Sequence, residues 1–496
     1  MTARIPKRWG LDPAIMWAGF LIMAIVGVFI HPGSLLWRDM VVLDHPILHL
    51  DAVGFGFQPA RAVPQDGFLA LIGILLPASW VVRVLLVGAA SIGAWAGYHM
   101  SMRTLPRMAA ITIIVWNPFV IERFLQGHWS LAFVAWLLPA IVVLRRRPAS
   151  QLFLVWLCSL TPSGLIFAAI TAWTVSAKRL IVASFSVICA LPWLVPSILH
   201  PPIASDTSLF LGRAEKGLGT LGSFLSLGGI WNSEAVPVSR TMGFGIAGLI
   251  LFVLLAAFMP RRLKLLSAGA ILVFVMVWVY PTILGIIPGA ALVRDSQKLA
   301  ILLIPGLAWA AARMRPSIAL VVVLLALANV PDASLSMQAL KATPLSKEWE
   351  ELGQEFSQEE YRGAVLNLDS SGLLTLGDRV VVDPAHKVLP LLSSGALKVE
   401  GQVADPPREE FLHAVDAYRT GRVDELNRMG ISHIKKGGIL SPLPITHIEV
   451  FESQRRDFTL GLSILLIWLM SGVGALSMAT WRLIRSRKAR PVSSQE

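Results

Sequence analysis

Apolar residues in this chain come in long unbroken runs, neither in the spaced stripe of a surface helix nor in the alternation of a half-buried strand. Runs near membrane-spanning length recur from Ala14 to Trp481. Ala14–Ile30, Ser79–Tyr98, Met108–Ile121, Trp129–Leu144, Leu180–Leu199, Thr241–Met259, Leu265–Ile287, Leu299–Ala312, Ile318–Val330 and Phe458–Trp481 each read as one crossing. Leu152–Val175 is broken by Thr161-Pro162-Ser163-Gly164 and reads as two short helices that dip through and back. Gly67–Pro77 is apolar but too short to cross, and reads as a helix lying along the outer interface. The expectation is a polytopic α-helical membrane protein of about twelve spans, with residues 1–330 as its transmembrane module.

One long stretch interrupts the pattern. Residues 331–457 are hydrophilic and hold twenty of the 31 acidic residues, enough chain for a small domain. Gly363–Leu368, Arg379–Asp383 and His447–Phe451 read as strands; Trp349–Phe356 and Glu409–Met429 read as helices. This predicts a small extracytoplasmic α/β domain before the last span, with 458–496 forming that span and a basic tail.

Composition fits this layout. The chain of 496 residues is 55% hydrophobic and 15% charged, which excludes a single water-soluble globule and a disordered chain. The net charge of +12 comes from Lys and Arg in short loops that fall on one face when the spans are walked in order. That orientation puts both termini in the cytoplasm, in a plasma membrane, and the basic residues are too scattered for nucleic-acid binding. Arg4, Lys7 and Arg8 precede the first run without a small-residue cleavage motif, so an uncleaved first span is expected. Cys158 and Cys189 lie in apolar runs and read as core thiols.

Outside the hydrophilic stretch and the C-terminal Glu496, nine of ten carboxylates fall on the outer face or just inside it: Asp39, Asp44, Asp51, Asp66, Glu122, Asp206, Glu215, Glu234 and Asp295. A carboxylate beside a bilayer is costly and marks a pathway, a partner or catalysis. The first outer loop, residues 32–67, holds four Asp, with His45 and His49 beside them and His31 at its edge. Three readings stay open there: a general base in Asp39, with Asp44 in reserve; a divalent cation held by Asp and His; or a solvated loop. A second constellation is Asn117-Pro-Phe-Val-Ile-Glu-Arg-Phe-Leu-Gln-Gly-His-Trp, in which Glu122 and Arg123 are expected to emerge at the outer surface, with His128 in the turn. A third is Arg294-Asp-Ser-Gln-Lys. There Arg294 and Lys298, four apart on the expected first turn of a helix, form a candidate phosphate cradle with Asp295 between them. Arg61 and Arg83 are further outer-face cations.

This layout resembles the GT-C superfamily of membrane glycosyltransferases, which use polyprenyl-phosphate sugars and carry an acidic residue in the first outer loop, a membrane-parallel segment before the second span, and often an outer soluble domain. The counterparts are Asp39, Gly67–Pro77 and 331–457. Leu76-Pro-Ala-Ser-Trp-Val-Val-Arg-Val, Asn117-Pro-Phe-Val-Ile-Glu-Arg and Arg294-Asp-Ser-Gln-Lys-Leu look like segments of actinobacterial arabinofuranosyltransferases of arabinogalactan and lipoarabinomannan synthesis. The late segment, with Val382-Asp-Pro-Ala and Leu426-Asn-Arg-Met-Gly-Ile-Ser-His-Ile, looks like the extracytoplasmic parts of such proteins. The resemblance implies an inverting glycosyltransferase that moves arabinofuranose or mannose to an envelope glycan or lipoglycan. Asp39 would be the base and Arg294, Lys298 and Arg123 the phosphate ligands. Glu122, His128, Asp295, Arg61 and Asp66 would lie around the substrates. Its partners would be the lipid-linked donor, a glycan or glycolipid acceptor, membrane lipids and other envelope-building membrane proteins. The alternatives are a lipid or glycolipid transporter and a non-catalytic assembly partner. A transporter fits less well, because charges are sparse in mid-span and no inverted repeat is visible.

Overall fold

A computed structural model describes residues 12–200, 208–282, 294–344, 347–377, 379–399 and 401–488. Among the described residues, seven helical stretches are long and apolar enough to cross a bilayer: Pro13–Ile30, Ala78–His99, Thr104–Gln126, Arg179–Leu199, Arg261–Val279, Pro316–Leu340 and Ile448–Arg485. Five shorter apolar helices accompany them: Trp129–Val143, Pro148–Cys158, Pro162–Val175, Gly245–Ala256 and Ser296–Ala311. The protein is therefore a polytopic, membrane-embedded helical protein. The interruption expected at Thr161 is there: the Thr161 side chain caps the second helix of the pair through Gly164 N at 3.3 Å, with Pro162 at its first position.

The helices in chain order begin with α1 (Pro13–Val26), capped by Asp12 Oδ1, which accepts from Ala14 N at 2.9 Å. Next come α2 (Gln65–Gly73), α3 (Ala78–His99), α4 (Thr104–Val115), α5 (Pro118–Gln126) and α6 (Trp129–Val143). Within α3, Gly93 and Gly97 stand four apart. A Cβ on the first would lie 2.7 Å from Trp136 O, and on the second 2.9 Å from Ile111 N. The two glycines thus let α3 pack closely on α6 and α4, the small-residue device of membrane helix pairs. α6 is apolar apart from Ser130 and almost entirely buried, the centre of the bundle. The short α2 ends in exposed Ile74, Leu75 and Leu76.

The first loop and the late hydrophilic segment fold together. Residues Leu35–Trp37 (β1) and Met40–Val42 (β2) form an antiparallel hairpin, with Trp37 opposite Met40. The late segment carries a four-stranded sheet. Ala364–Asn367 lies parallel to Leu391–Leu392 on one side and to Ile431–Lys436 on the other, and Ile439–Pro442 closes the edge. A second hairpin there pairs Leu373–Leu376 with Arg379–Val382. Leu36, Val41 and Leu43 of the first loop share one apolar core with Val365, Val381, Val388 and Leu391. Polar ties reinforce it: Val382 N donates to Arg38 O at 2.9 Å, and Arg408 Nη1 to Phe57 O at 2.8 Å.

Two expectations for this segment are corrected. Residues His447–Phe451 are not a strand; from Ile448 they begin the helix that runs to Lys488, 41 residues long. Glu409–Met429 is two helices, Glu409–Arg419 and Val423–Arg428, because the chain turns at Gly421 with φ 69°.

Candidate active site

The two residues between β1 and β2 are Arg38 and Asp39, so Asp39 sits at the tip of a two-residue hairpin. Arg38 takes φ 51°, the left-handed conformation such a turn requires at its first position. An arginine there costs energy, and the surroundings hold it. Its Nη1 donates to Glu234 Oε2 at 2.9 Å, and its carbonyl accepts from Val382. The neighbouring Trp37 donates its indole N–H to Leu125 O at 2.6 Å. The hairpin is pinned onto the end of α5.

That helix end is built by sequence signals. Asn117 caps α5, accepting from Val120 N at 3.0 Å, and Pro118 starts it. Gly127, at φ 90°, stops it. The stop turns Gln126 and His128 towards Asp39. Gln126 Nε2 donates to Asp39 Oδ2 at 3.0 Å, and His128 Nε2 lies 3.0 Å from the same oxygen. Arg123 Nη1 lies 3.4 Å from His128 Nδ1. An arginine can only donate, so Nδ1 accepts and Nε2 carries the proton given to Asp39. Among the described residues, Oδ1 of Asp39 accepts no hydrogen bond. The Asp39 side chain keeps 42% of its surface open to solvent. The surrounding protein raises its pKa, but the hydrogen bonds from His128 and Gln126 and the Lys298 charge outweigh this and hold it below the usual carboxylate range. Burial pushes His128 below the usual imidazole range, so it is neutral at pH 7.

Cations gather around this carboxylate. Lys298 is within electrostatic reach of Asp39, and Arg61, Arg294 and Lys298 are within reach of one another. Arg294 stacks over the Phe210 ring at 4.1 Å and lies 4.0 Å from Asp405 of the late segment. Arg61 is pushed down to about 10, first by the crowding protein and then by the Arg294 charge. Three cations within electrostatic reach of one another are what an anionic group would relieve.

The remaining expected residues are placed differently. Glu122 and Arg123 do not emerge at the surface; both side chains are fully buried. Arg123 binds Asp295 with both terminal nitrogens, Nη2 to Oδ1 at 3.2 Å, and also hydrogen-bonds Gln297. Both of its terminal nitrogens are thus taken up by protein groups. Asp295 is its counter-ion, with Lys298 Nζ 3.9 Å away, and not a surface carboxylate waiting for substrate. Arg294 and Lys298 do not share a helical first turn: the helix begins at Ser296, as a tighter 3₁₀ coil to Leu303, and Arg294 lies before it. Asp44 sits away from the crevice, hydrogen-bonded to the Ser79 hydroxyl at the start of α3, with its carbonyl accepting from Ala78 N at 2.8 Å. Asp66 is ion-paired to Lys387 at 2.7 Å. The Asp and His residues of the first loop thus take separate partners, and no group of three possible metal ligands converges among the described residues.

Sequence reasoning missed a buried polar cluster that adjoins Arg123 through Gln297. Glu122 accepts from Ile230 N at 3.1 Å and lies 3.5 Å from Gln297 Nε2. Buried Arg240 is ion-paired to Glu215 and hydrogen-bonded to Ser226 Oγ at 2.6 Å and to the Asn329 side chain. Arg240 lies in a Ser-Arg-Thr stretch that reads as an ordinary loop, so its role was invisible before the chain was folded.

The fold is similar to that of a mycobacterial arabinofuranosyltransferase. The match to the cryo-EM structure of arabinofuranosyltransferase AftD from Mycobacteria has a TM-score of 0.49 and 16% identity, covering 87% of this chain and 35% of that one. An arginine-to-serine variant of the same enzyme matches with a TM-score of 0.46 and 15% identity, covering 87% of this chain and 37% of that one. The chain thus spans little more than a third of those structures. No protein-family model matches the chain, and no curated protein matches it.

Proposed function

We propose that this protein is a membrane glycosyltransferase of the GT-C type, transferring a sugar from a polyprenyl-phosphate donor to a cell-envelope glycan or lipoglycan at the extracytoplasmic face of the plasma membrane. The observation that carries the reading is Asp39, with its open Oδ1, within electrostatic reach of Lys298 and Arg61, which in turn lie within reach of Arg294. Asp39 Oδ1 takes the proton of the acceptor hydroxyl as that oxygen bonds to the anomeric carbon. On the opposite side of that carbon the bond to the phosphate oxygen breaks, and the leaving lipid phosphate is held by Arg294, Lys298 and Arg61 without an acid catalyst. His128 and Gln126 fix the carboxylate, and Arg123 with Asp295 fixes His128 and Lys298. The sugar, arabinofuranose or mannose, is carried over from the sequence resemblance.

The deciding experiment supplies membranes containing the full chain with radiolabelled polyprenyl-phosphate arabinose or mannose and scores label in the acceptor glycan. Transfer by the wild type that Asp39→Asn abolishes at equal protein level supports the reading. Transfer undiminished by that change removes Asp39 from the chemistry.

A further inference from the structure

At the far end of the bundle from Asp39 lies a second feature that the glycosyltransferase reading does not use. α6 and the segment Ser296–Ala311 both start at the crevice, with His128 and Lys298, and end at this other rim, with Arg145 and Arg313. At about 1.5 Å per residue, α6 alone separates the two ends by more than ~20 Å. A cavity of about 290 Å³ opens there, lined by Arg145, Arg261, Arg262 and Arg313 over a floor that includes Leu263 and Trp309.

The four arginines come from three separated parts of the chain and converge on one space. Arg145 lies over the Trp309 ring at 5.1 Å, and Arg262 Nη1 donates to Val175 O at 3.1 Å, so two of the four are fixed in place. Among the described residues, no carboxylate lines the cavity and none pairs with any of the four. Asp12, a carboxylate at this end of the bundle, is held by Arg107 at 3.0 Å and Tyr98 at 2.8 Å. Arg261, Arg262 and Arg313 remain exposed, so the cavity is reached from outside. An excess of cations in membrane loops is ordinary. Four guanidinium groups focused on one apolar-floored cavity without a counter-ion are not, because their mutual repulsion needs an anion. Phe258 and Leu265, on either side of the Pro260–Leu263 wall in sequence, are exposed apolar side chains of the kind that face lipid tails.

We infer that this cavity binds the phosphodiester headgroup of an anionic membrane phospholipid, with guanidinium groups on the phosphate oxygens and the acyl chains along the apolar helix surface. A charged headgroup with attached tails matches both halves of the site, whereas a free phosphate matches only the cationic half. The inference does not depend on the glycosyltransferase reading.

The test uses the full chain purified in a neutral detergent, with short-chain phosphatidylglycerol, short-chain phosphatidylcholine and inorganic phosphate as probes. The readout is bound lipid by native mass spectrometry. The expected result is phosphatidylglycerol binding about tenfold tighter than phosphatidylcholine. The double variant Arg145→Gln/Arg313→Gln loses that preference, while the charge-matched control Arg146→Gln/Arg315→Gln, at the same rim outside the cavity, keeps it. Three results overturn the inference: equal binding of the two lipids, equal loss in both double variants (a diffuse field only), or displacement of phosphatidylglycerol by inorganic phosphate at comparable concentration (a soluble anion site). Should the double variant fail to fold, the wild-type comparison of the three probes and the single variant Arg313→Gln still decide.

Discussion

Gly127 stands directly against the backbone of Asp39: a Cβ on Gly127 would lie 2.6 Å from Asp39 N and 2.4 Å from Met40 N. The glycine also has φ 90°, where other residues are strained. Gly127→Ala therefore meets two penalties at once: about 1–2 kcal/mol of backbone strain and a clash with backbone that has no flexible end to yield. The expected outcome is a shifted hairpin tip. The variant should remain in the membrane, with a lowered thermal midpoint and transfer reduced far more than the amount of folded protein. Full transfer by a stable Gly127→Ala protein would show that the tip does not need this close seat.

Asp39→Asn keeps the shape and the hydrogen bond from Gln126 but removes the base. General-base loss costs about a hundred- to ten-thousandfold in turnover. His128→Leu should cost less and act through Asp39, because it removes the donor that helps hold Asp39 ionised. Its signature is a pH profile whose acidic limb moves up toward the ordinary carboxylate range; an unmoved limb would leave His128 without a positioning role.

Arg294 and Arg123 should separate cleanly. Arg294 stacks over the Phe210 ring and lies 4.0 Å from Asp405, and Arg294→Ala should keep the protein in the membrane and raise the donor KM by about tenfold. Arg123 is fully buried against Asp295, and Arg123→Ala strands that carboxylate, a loss of about 3–5 kcal/mol of stability. Donor titrations and thermal melts of the two variants distinguish the roles. A donor KM unchanged in Arg294→Ala would remove that residue from phosphate binding.

The first loop also carries a pH signature. Burial raises Asp51 to about 7, against the opposing pull of the Gln58 amide. A carboxyl raised in the folded state keeps a proton that the unfolded chain releases near pH 4. Its contribution to stability is therefore full below that point and lost as pH rises to about 7. Asp51→Asn should raise the thermal midpoint at pH 8 and change it little at pH 4. Equal shifts at both pH values would contradict the buried, protonated state.

How much of this was legible beforehand follows from what kind of signal each part leaves. Long apolar runs, the Thr161-Pro162 break and the short apolar stretch before α3 are one-dimensional patterns, and the helices follow them. The α5 boundaries were also written locally, in Asn117-Pro118 and Gly127. The depth of Glu122 and Arg123 was not. A charged pair at a helix end reads as surface until its partners Asp295, Gln297 and Ile230 arrive from more than a hundred residues away. The strand expected at His447–Phe451 failed for a related reason, since β-branched alternation over five residues is too short to outweigh the long helix it opens. The hairpin that presents Asp39 depends on an arginine in a left-handed turn, a choice that only the anchoring by Glu234 and Val382 makes tolerable.

The shared core of Leu36, Val41 and Val381 carries a consequence for biogenesis. The ribosome makes β1 and β2 early, but the strand and carbonyl contacts that fasten them are synthesised some three hundred residues later. A nascent chain released before that point would own a helical bundle whose hairpin tip is seated on α5 and Glu234 but lacks its second anchor in the late segment. On the proposed function, competence for chemistry is thereby postponed until translation of the late hydrophilic segment is finished, and a truncation before it should lower transfer while leaving most of the protein inserted.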